Sequence, residues 1–456
     1  MSRPSLWRSA THSFGTNVVS IPIGMVTSVL VARALGAEGR GVHSLIFATA
    51  ALLSLALGLS LPTGITYVVA RASANMRALA VRLLGLATLI GAATMLFLLA
   101  VRETPIAGYF LPAGTDTWVV AAITSSVFFS TLGGFARAIL VGRQEIIRAN
   151  HRDLLNRVLE AVAVGVAVAW CTISLGHVPV AAVVLASVIA YTITALSFVH
   201  AVGFPPRTPG TSQVGEVFRI SLPSHGANVL QQFNYRLAIF VISFFAGAAA
   251  TGVYSVALSV VQLLWLASNA VAVVLLPRVA ASSPTDHAVV ELCARVNRLS
   301  LASTAAVSLG MALIAPAVFP LVFGTDFAAS VELLWLMLPG AIVFSAANVL
   351  ASYFAGIGKP QINLRSSALG FVFTVLFNFS LIPRLGAAGA AIASTLSYTA
   401  SALYLIARFC AGAEISPLRA CVVQRDDVRM VVERALATWR ALRARGAVQP
   451  VSGSDR

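Results

Sequence analysis

The chain has 456 residues, of which 58% are hydrophobic and 10% are charged, and its net charge is +15. A soluble domain carries about 25% charged residues, so this composition excludes a water-soluble globular protein and predicts a multi-pass membrane protein. In a membrane protein an excess of arginine sets the orientation of the chain, so no nucleic-acid partner is expected.

Twelve apolar segments are long enough to cross a bilayer, which takes about 20 residues. They are residues 10–34, 44–69, 79–101, 117–141, 155–175, 178–203, 220–246, 252–276, 297–322, 331–356, 363–383 and 387–410. Six lie in each half, so the two halves cross in the same direction as a parallel repeat. We predict an all-α fold of twelve transmembrane helices in two pseudo-symmetric six-helix lobes.

The halves are copies of each other. Ser13–Ser44 and Ser224–Ser255 share nine identities in 32 positions, and Ala181–Leu196 and Ala388–Leu403 share seven in 16. Self-similarity at a fixed spacing indicates a tandem duplication. The predicted organisation is a first lobe (1–203), a linker (204–219) that contains Pro205–Gly210, a second lobe (220–410) and a tail (411–456).

Arginine and lysine alternate between the two sides of the predicted spans. One side carries 26 of these residues and the other carries four, while Arg236 lies within a span. Because positive residues stay in the cytoplasm, both termini are expected there. The tail has an amphipathic pattern from Asp426 to Gly446, which predicts a helix that either lies on the anionic inner leaflet or docks on a partner enzyme.

Polar side chains recur at helical spacing on several spans. The first span carries Asn17, the seventh carries His225, Asn228, Gln232 and Arg236, and the eighth carries Gln262. In lipid such groups face a cavity, a partner helix or the interface. The pattern predicts either a shared aqueous cavity between the halves or helix packing through polar residues.

Arg236 and Arg33 are the candidate cationic groups. Arg236 lies deep in its span with no acid placed to pair with it on the same helix, so it suits a phosphate or carboxylate, or else it reaches to the outer interface. Arg33, at the outer end of the first span, adds to the same field or anchors its helix. His225 is either proton-linked or a hydrogen-bonded structural residue.

Glu160, near the cytoplasmic start of the fifth span, is the one acid expected in a membrane segment. It either couples transport to an ion or pairs with Arg157. No pattern of nucleophile and base, phosphate-binding loop or metal ligands occurs, and the four cysteines are scattered singly. We therefore expect no enzyme, no metal site and no cofactor.

Two stretches resemble the polysaccharide flippases of the multidrug/oligosaccharidyl-lipid/polysaccharide exporter superfamily. The first is LVARALGAEGRGVHSL at Leu30–Leu45, and the second is Tyr353–Tyr398, which contains the elements Gly356–Pro360, Asn378–Pro383 and Gly386–Ser394. The resemblance implies two six-helix lobes in a V around a central cavity that opens alternately to either side. It also implies an undecaprenyl-diphosphate-linked oligosaccharide as cargo.

The resemblance assigns roles to the candidate residues. Arg236 would hold the diphosphate, while Asn17, Asn228, Gln232 and Gln262 would bond sugar hydroxyls or the headgroup. The expected location is the bacterial inner membrane, with its lipids, a polysaccharide polymerase and glycosyltransferases as partners. The alternatives are a cation-coupled multidrug exporter, a peptidoglycan-precursor flippase and a non-transporting scaffold for polysaccharide assembly.

Overall fold

The computed structural model describes residues 6–71, 75–112, 115–203, 213–280, 287–427, 429–430 and 433, and this part of the chain is helical with no strands. The helices are α1 (Leu6–Gly58), α2 (Leu61–Ala70), α3 (Met76–Val101), α4 (Ala107–Phe110), α5 (Thr117–Gly142), α6 (Ile146–Leu175), α7 (Val180–Val202), α8 (Val214–Leu264), α9 (Leu266–Ala280), α10 (His287–Phe323), α11 (Ser330–Gly356), α12 (Pro360–Ala413) and α13 (Pro417–Cys421). We call residues 6–203 the first half and residues 213–413 the second half.

Nine helices of the described part are long and apolar enough to cross a membrane. In lipid, a helix satisfies every backbone hydrogen bond within its own segment, which explains why so apolar a chain forms helices throughout. The protein is therefore a multi-pass membrane protein.

Three of the long helices, α1, α8 and α12, reverse direction at a glycine. Gly36, Gly247 and Gly386 have φ of 65°, 81° and 57°, a region that side-chain-bearing residues rarely adopt. The reversal is visible in α8, where the rings of Tyr235 and Trp265 lie 6.3 Å apart although 29 residues separate them in the sequence. Three hairpins within nine helices agree with twelve crossings, although the number twelve itself stays a prediction.

The duplicated stretches pack reciprocally against each other. A Cβ on Gly41 would lie 1.8 Å from the carbonyl oxygen of Ala248, and a Cβ on its repeat partner Gly252 would lie 1.8 Å from the carbonyl oxygen of Ala37. Glycine is therefore required at both positions for the backbones of α1 and α8 to approach. We call this reciprocal contact of Ala37, Gly41, Ala248 and Gly252 the glycine clasp.

The two ends of the bundle are distinct. Gly36 and Gly247 each precede an alanine of the glycine clasp, and Gly386 lies beside Ala246. The three hairpin glycines therefore share one end of the bundle, which we call the glycine end. At the opposite end, the tail end, a Cβ on Gly64 of α2 would lie 2.2 Å from the carbonyl oxygen of Val217 in α8. The halves are in contact at both ends.

Two predicted spans differ from the helices found. The segment predicted over 44–69 is divided, because α1 ends at Gly58, Leu59 and Ser60 adopt positive φ, and α2 begins again with Pro62 near its N-terminus. The segment predicted over 155–175 begins earlier, at Ile146, because the polar first turns of α6, which include the buried Asn150 and the cavity-lining Asp153, continue the same helix. Glu160 therefore lies midway along α6 and not near its start.

The beginning of the predicted tail packs on α10. Arg298 and Asp427 form a buried ion pair, and Asn297 donates to the carbonyl oxygen of Ala420 at 2.9 Å. Most of the predicted amphipathic helix, including all of residues 434–446, lies outside the described residues.

Candidate functional site

The polar face predicted on the seventh span turns toward the first half at the tail end. Asn228 Nδ2 donates to Ser60 Oγ at 3.0 Å, and His225 Nδ1 lies 3.3 Å from the same hydroxyl. Ser60 is buried in the break between α1 and α2. Ser60 was not predicted as a site residue, because its position depends on a break in a segment predicted to be continuous.

Arg236 lies on the same face of α8, half-buried, opposite Tyr191 of α7, with which it interacts electrostatically. Within the described residues it forms neither a hydrogen bond nor an ion pair. Gln232 is half-buried and Gln262 is exposed, and the side chain of Asn17 lies outside the described residues. Arg236 is thus a guanidinium with its donors available to a ligand.

Arg33 lies at the glycine end and connects the halves. Its Nε donates to the carbonyl oxygen of Val322 at 2.7 Å, and its Nη2 donates to that of Leu321. These carbonyls belong to the last turn of α10, where a helix lacks internal partners for its C=O groups and favours a positive charge. In this arrangement Arg33 anchors α1 to α10.

Arg40 falls between the predicted spans 10–34 and 44–69, but it lies on α1 just after the hairpin and is only 8% exposed. Its Nη2 donates to Ser28 Oγ at 3.1 Å, and its Nε donates to Ser255 Oγ in the second half at 3.3 Å. The spacing from Gly36 could have placed Arg40 on the first turn of a helix, but only packing shows that it points inward.

Glu160 is enclosed by positive charge. Arg157, one turn earlier on α6, lies 3.9 Å from its carboxylate, and the Glu160 side chain is 13% exposed. Arg40 of α1 also interacts with it electrostatically. Arg157 also lines a cavity among α1, α5 and α6, so it connects Glu160 to that cavity.

A cavity of about 500 Å³ lies among α1, α5 and α6 in the first half. Its polar lining comes from Thr16, Ser20, Arg137, Asn150, Asp153, Asn156 and Arg157. Arg137 Nε contacts both carboxylate oxygens of Asp153, at 2.8 and 3.2 Å. We call this space the charged cavity.

The cavity and its surroundings are electropositive. Arg137, Arg157 and Asp153 line the cavity, and Glu160 lies beside Arg157 and interacts with Arg40. Arg236 interacts with Tyr191, as Glu160 and Arg157 do, so the four arginines and two carboxylates of this region leave two positive charges in excess. A cation inside a membrane is costly unless an anion or polar partner compensates it. The arrangement suits an anionic ligand with two or more oxygens, such as a phosphate group.

The family model described as "Polysaccharide biosynthesis protein" matches residues 30–332. Comparison with curated protein sequences gives no match.

Among solved structures, the lipid II flippase MurJ in its inward-closed conformation has a TM-score of 0.73 and 13% identity, covering 88% of this chain and 90% of that one. A multidrug resistance MATE family transporter of the MOP superfamily in its inward-facing conformation has a TM-score of 0.69 and 17% identity, covering 89% and 99%. An outward-facing structure of such a transporter has a TM-score of 0.54, 17% identity and coverage of 89% and 96%. The fold is that of these two-lobed, V-shaped exporters, as predicted.

Proposed function

Because this chain belongs to the polysaccharide biosynthesis protein family, we propose that it is a flippase for an undecaprenyl-diphosphate-linked oligosaccharide. The membrane is the bacterial inner membrane, and the tail end, with both termini, faces the cytoplasm. The lipid-linked oligosaccharide is supplied by glycosyltransferases and passed to a polysaccharide polymerase after translocation. The protein moves this cargo without changing it chemically.

The excess of positive charge at the charged cavity carries this proposal. A diphosphate brings at least two negative charges, and arginine binds phosphate oxygens through two parallel N–H donors. Arg157, which lines the cavity, and Arg236, which has no partner in the described residues, are the two groups assigned to it. The polyprenyl chain stays in the bilayer, since its transfer into a polar cavity would expose apolar surface to water.

Contacts between the halves at both ends of the bundle support a mechanism of alternating access. Both ends are in contact in this structure, through the glycine clasp and Arg33 at one end and through Ser60 with His225 and Asn228 at the other. Cargo reaches the cavity from the cytoplasm when the tail-end contacts separate. It leaves on the other side when those contacts re-form and the glycine clasp opens.

Translocation of a fluorescent undecaprenyl-diphosphate oligosaccharide in liposomes containing the purified protein tests the proposal. We expect Arg157→Gln and Arg236→Gln to reduce the rate roughly tenfold to a hundredfold, because a charge-assisted hydrogen bond contributes about 1.5–3 kcal/mol. Arg429→Gln is the matched control, since the Arg429 side chain is 80% exposed and Glu433 is its one ion-pair partner among the described residues. Normal translocation by both cavity variants would reject the assignment of the charged cavity.

Two alternatives give other results in the same assay. A scaffold that recruits other proteins would leave the labelled lipid on one side even with the wild-type protein. A peptidoglycan-precursor flippase would be inhibited by unlabelled lipid II at lower concentration than by the polysaccharide precursor.

A second candidate function, a cation-coupled multidrug exporter, is favoured by one observation. Glu160 lies halfway along α6 with a largely buried carboxylate, which is the kind of group that binds a proton or cation within a membrane. The positive charges of Arg40 and Arg157 around the same carboxylate argue against this function, because they disfavour a bound cation.

A further inference from the structure

A second cavity, of about 340 Å³, lies in the second half among α8, α11 and α12. Its polar lining comes from Gln231, Asn234, Tyr235, Asn348, Asn363, Ser366, Ser367, Ser397, Tyr398 and Ser401. None of its 14 lining residues is Asp, Glu, Lys, Arg or His. We call it the neutral cavity.

Side-chain amides of the neutral cavity are held in place by hydrogen bonds. Ser367 Oγ donates to Gln231 Oε1 at 3.0 Å, and Asn234 Nδ2 donates to the carbonyl oxygen of Ser367 at the same distance. Asn348 Nδ2 donates to Ser268 Oγ at 3.1 Å. Amides fixed in this way are arranged before a ligand arrives, which lowers the entropy lost on binding.

Two amide oxygens of the neutral cavity accept no hydrogen bond from the described residues. Asn363 Nδ2 donates to the carbonyl oxygen of Ala351 at 2.9 Å, but its buried Oδ1 has no partner in the described part of the chain. Asn348 Oδ1, which is not fully buried, also accepts no hydrogen bond from the described residues. A buried acceptor without a partner is unfavourable by about 1–3 kcal/mol, so a ligand that supplies hydroxyl donors would be stabilised here.

Aromatic rings form one wall of the neutral cavity. Phe344 lies 5.0 Å from Tyr398 and 6.4 Å from Tyr235, measured between ring centroids. Trp265 packs behind them, 5.2 Å from Tyr398, and its Nε1 donates to the carbonyl oxygen of Ala341. The cavity thus combines neutral amides and hydroxyls with flat apolar surfaces.

Helix α8 carries two sets of polar residues on adjacent faces, one turned to the first half and one lining the neutral cavity. At about 100° per residue, Asn228, Gln232 and Arg236 share the face turned to the first half. Gln231, Asn234 and Tyr235 share the adjacent face, which lines the neutral cavity. A ligand with one anionic part and one uncharged polar part could therefore contact both faces of a single helix.

We propose that the neutral cavity is a saccharide subsite, which binds uncharged sugar residues of the cargo through amides, hydroxyls and aromatic faces. This inference rests on the proposed function, and it assigns the diphosphate to the charged cavity and the sugar to the neutral one. Its volume falls within the range of about 300–1,000 Å³ typical of small-molecule sites. The absence of charged lining residues disfavours the diphosphate there, because each neutral hydrogen bond to it would be weaker than one from arginine.

The test compares two ligands that differ only in the saccharide. Full-length protein in lipid nanodiscs is titrated with undecaprenyl diphosphate and with the same lipid carrying the oligosaccharide. We expect Asn348→Ala and Asn363→Ala to weaken binding of the oligosaccharide-bearing lipid roughly tenfold, the effect of losing one well-formed hydrogen bond. Binding of undecaprenyl diphosphate is unchanged, which also shows that each variant is folded.

Asn378→Ala is the matched control. Asn378 also lies on α12, is buried, donates through Nδ2 to the carbonyl oxygen of Thr374 at 2.7 Å, and has an Oδ1 without a partner in the described residues, yet it does not line the cavity. It should bind both ligands as the wild type does. Equal weakening of both ligands by the two cavity variants, or no weakening of either, would overturn the saccharide subsite.

The proposed function fails in a different way. If the diphosphate assignment is wrong, Arg157→Gln and Arg236→Gln leave the binding of undecaprenyl diphosphate unchanged. Selective weakening of the oligosaccharide-bearing lipid by Asn348→Ala and Asn363→Ala would then still support the saccharide subsite.

Discussion

The electrostatic role of Glu160 is determined by the arginines around it. It lies in the middle of an apolar helix, where an isolated carboxylate would be costly, but Arg157 lies 3.9 Å away and Arg40 approaches from α1. A carboxylate between two guanidinium groups reduces the field that attracts an anion. The proposed function therefore gives Glu160 a role in balancing charge, and the multidrug alternative gives it a role in binding cations.

Glu160→Gln separates these two roles. For the flippase we expect tighter binding of undecaprenyl diphosphate, by roughly three- to tenfold, because the change removes a negative charge from the site. Translocation should continue without a proton gradient. The exposed Glu103→Gln change is the control, since the Glu103 side chain is 79% exposed. Loss of translocation by Glu160→Gln, together with wild-type translocation that requires a proton gradient, would favour the cation-coupled exporter.

At the scale of elements, α10 and the start of the tail form one unit. Asp427 accepts from Arg298 Nε at 2.6 Å and from its Nη2 at 3.0 Å, and both side chains are almost completely buried. Arg298 also donates to the carbonyl oxygen of Arg419 in α13. The chain after α12 is therefore fixed to the second half at least as far as Asp427.

Asp427→Asn should destabilise this unit by about 3 kcal/mol, because it removes the buried carboxylate that accepts from both Nε and Nη2 of Arg298 and leaves this guanidinium with the partly exposed Glu291 as its acidic partner in the described residues. The hydrogen bond from Arg298 lowers the pKa of Asp427 below its usual value. The carboxylate therefore stabilises the fold fully above the unfolded-state pKa, about 3.9, and this contribution is lost as the pH falls through the lower folded pKa.

Thermal unfolding of the detergent-solubilised protein measures this effect. The variant should melt at lower temperature at pH 7, and the difference from the wild type should narrow as the pH falls below about 4. Glu433→Gln is the control, because its partner Arg429 and Glu433 itself are exposed and such pairs contribute about 0–1 kcal/mol. An unchanged melting temperature for Asp427→Asn would show that the ion pair does not hold the tail.

At the scale of the whole molecule, the two halves meet through duplicated sequence. The glycine clasp brings backbone against backbone at the glycine end, and Tyr109 stacks on Phe244 across the same end with ring centroids 3.8 Å apart. Both contacts describe a molecule whose halves are closed at the glycine end.

Gly41→Ala should open this end, because its Cβ would overlap the carbonyl oxygen of Ala248, a backbone atom that cannot move alone. Crosslinking between cysteines at Tyr109 and Phe244, in a background without the four native cysteines, reports the closure. We expect the crosslink yield to fall severalfold. Gly24→Ala on the same helix has open space around the added Cβ and should leave the yield unchanged. Equal yields in both variants would contradict a role for the clasp in closure.

The polar face of α8 was partly predictable. Helical spacing alone placed His225, Asn228, Gln232 and Arg236 on one side, and the structure turns that side to the first half. The adjacent face, with Gln231 and Asn234, is not apparent from the sequence, because two neighbouring polar faces obscure the helical periodicity that a single polar face produces. Whether the predicted residues bind the cargo stays a prediction.

From the sequence alone came the membrane location, the helical class, the duplication and the resemblance to polysaccharide flippases. These follow from composition, helical periodicity and repeated residues, because an apolar chain in lipid has to satisfy its backbone locally. Only the tertiary structure decided which side chains meet. Arg40 became buried beside Ser28 and Ser255, Ser60 became a partner of Asn228, and Arg157 came to line a cavity. Such meetings depend on breaks in the helices and on the packing of segments far apart in the chain, which local spacing does not encode.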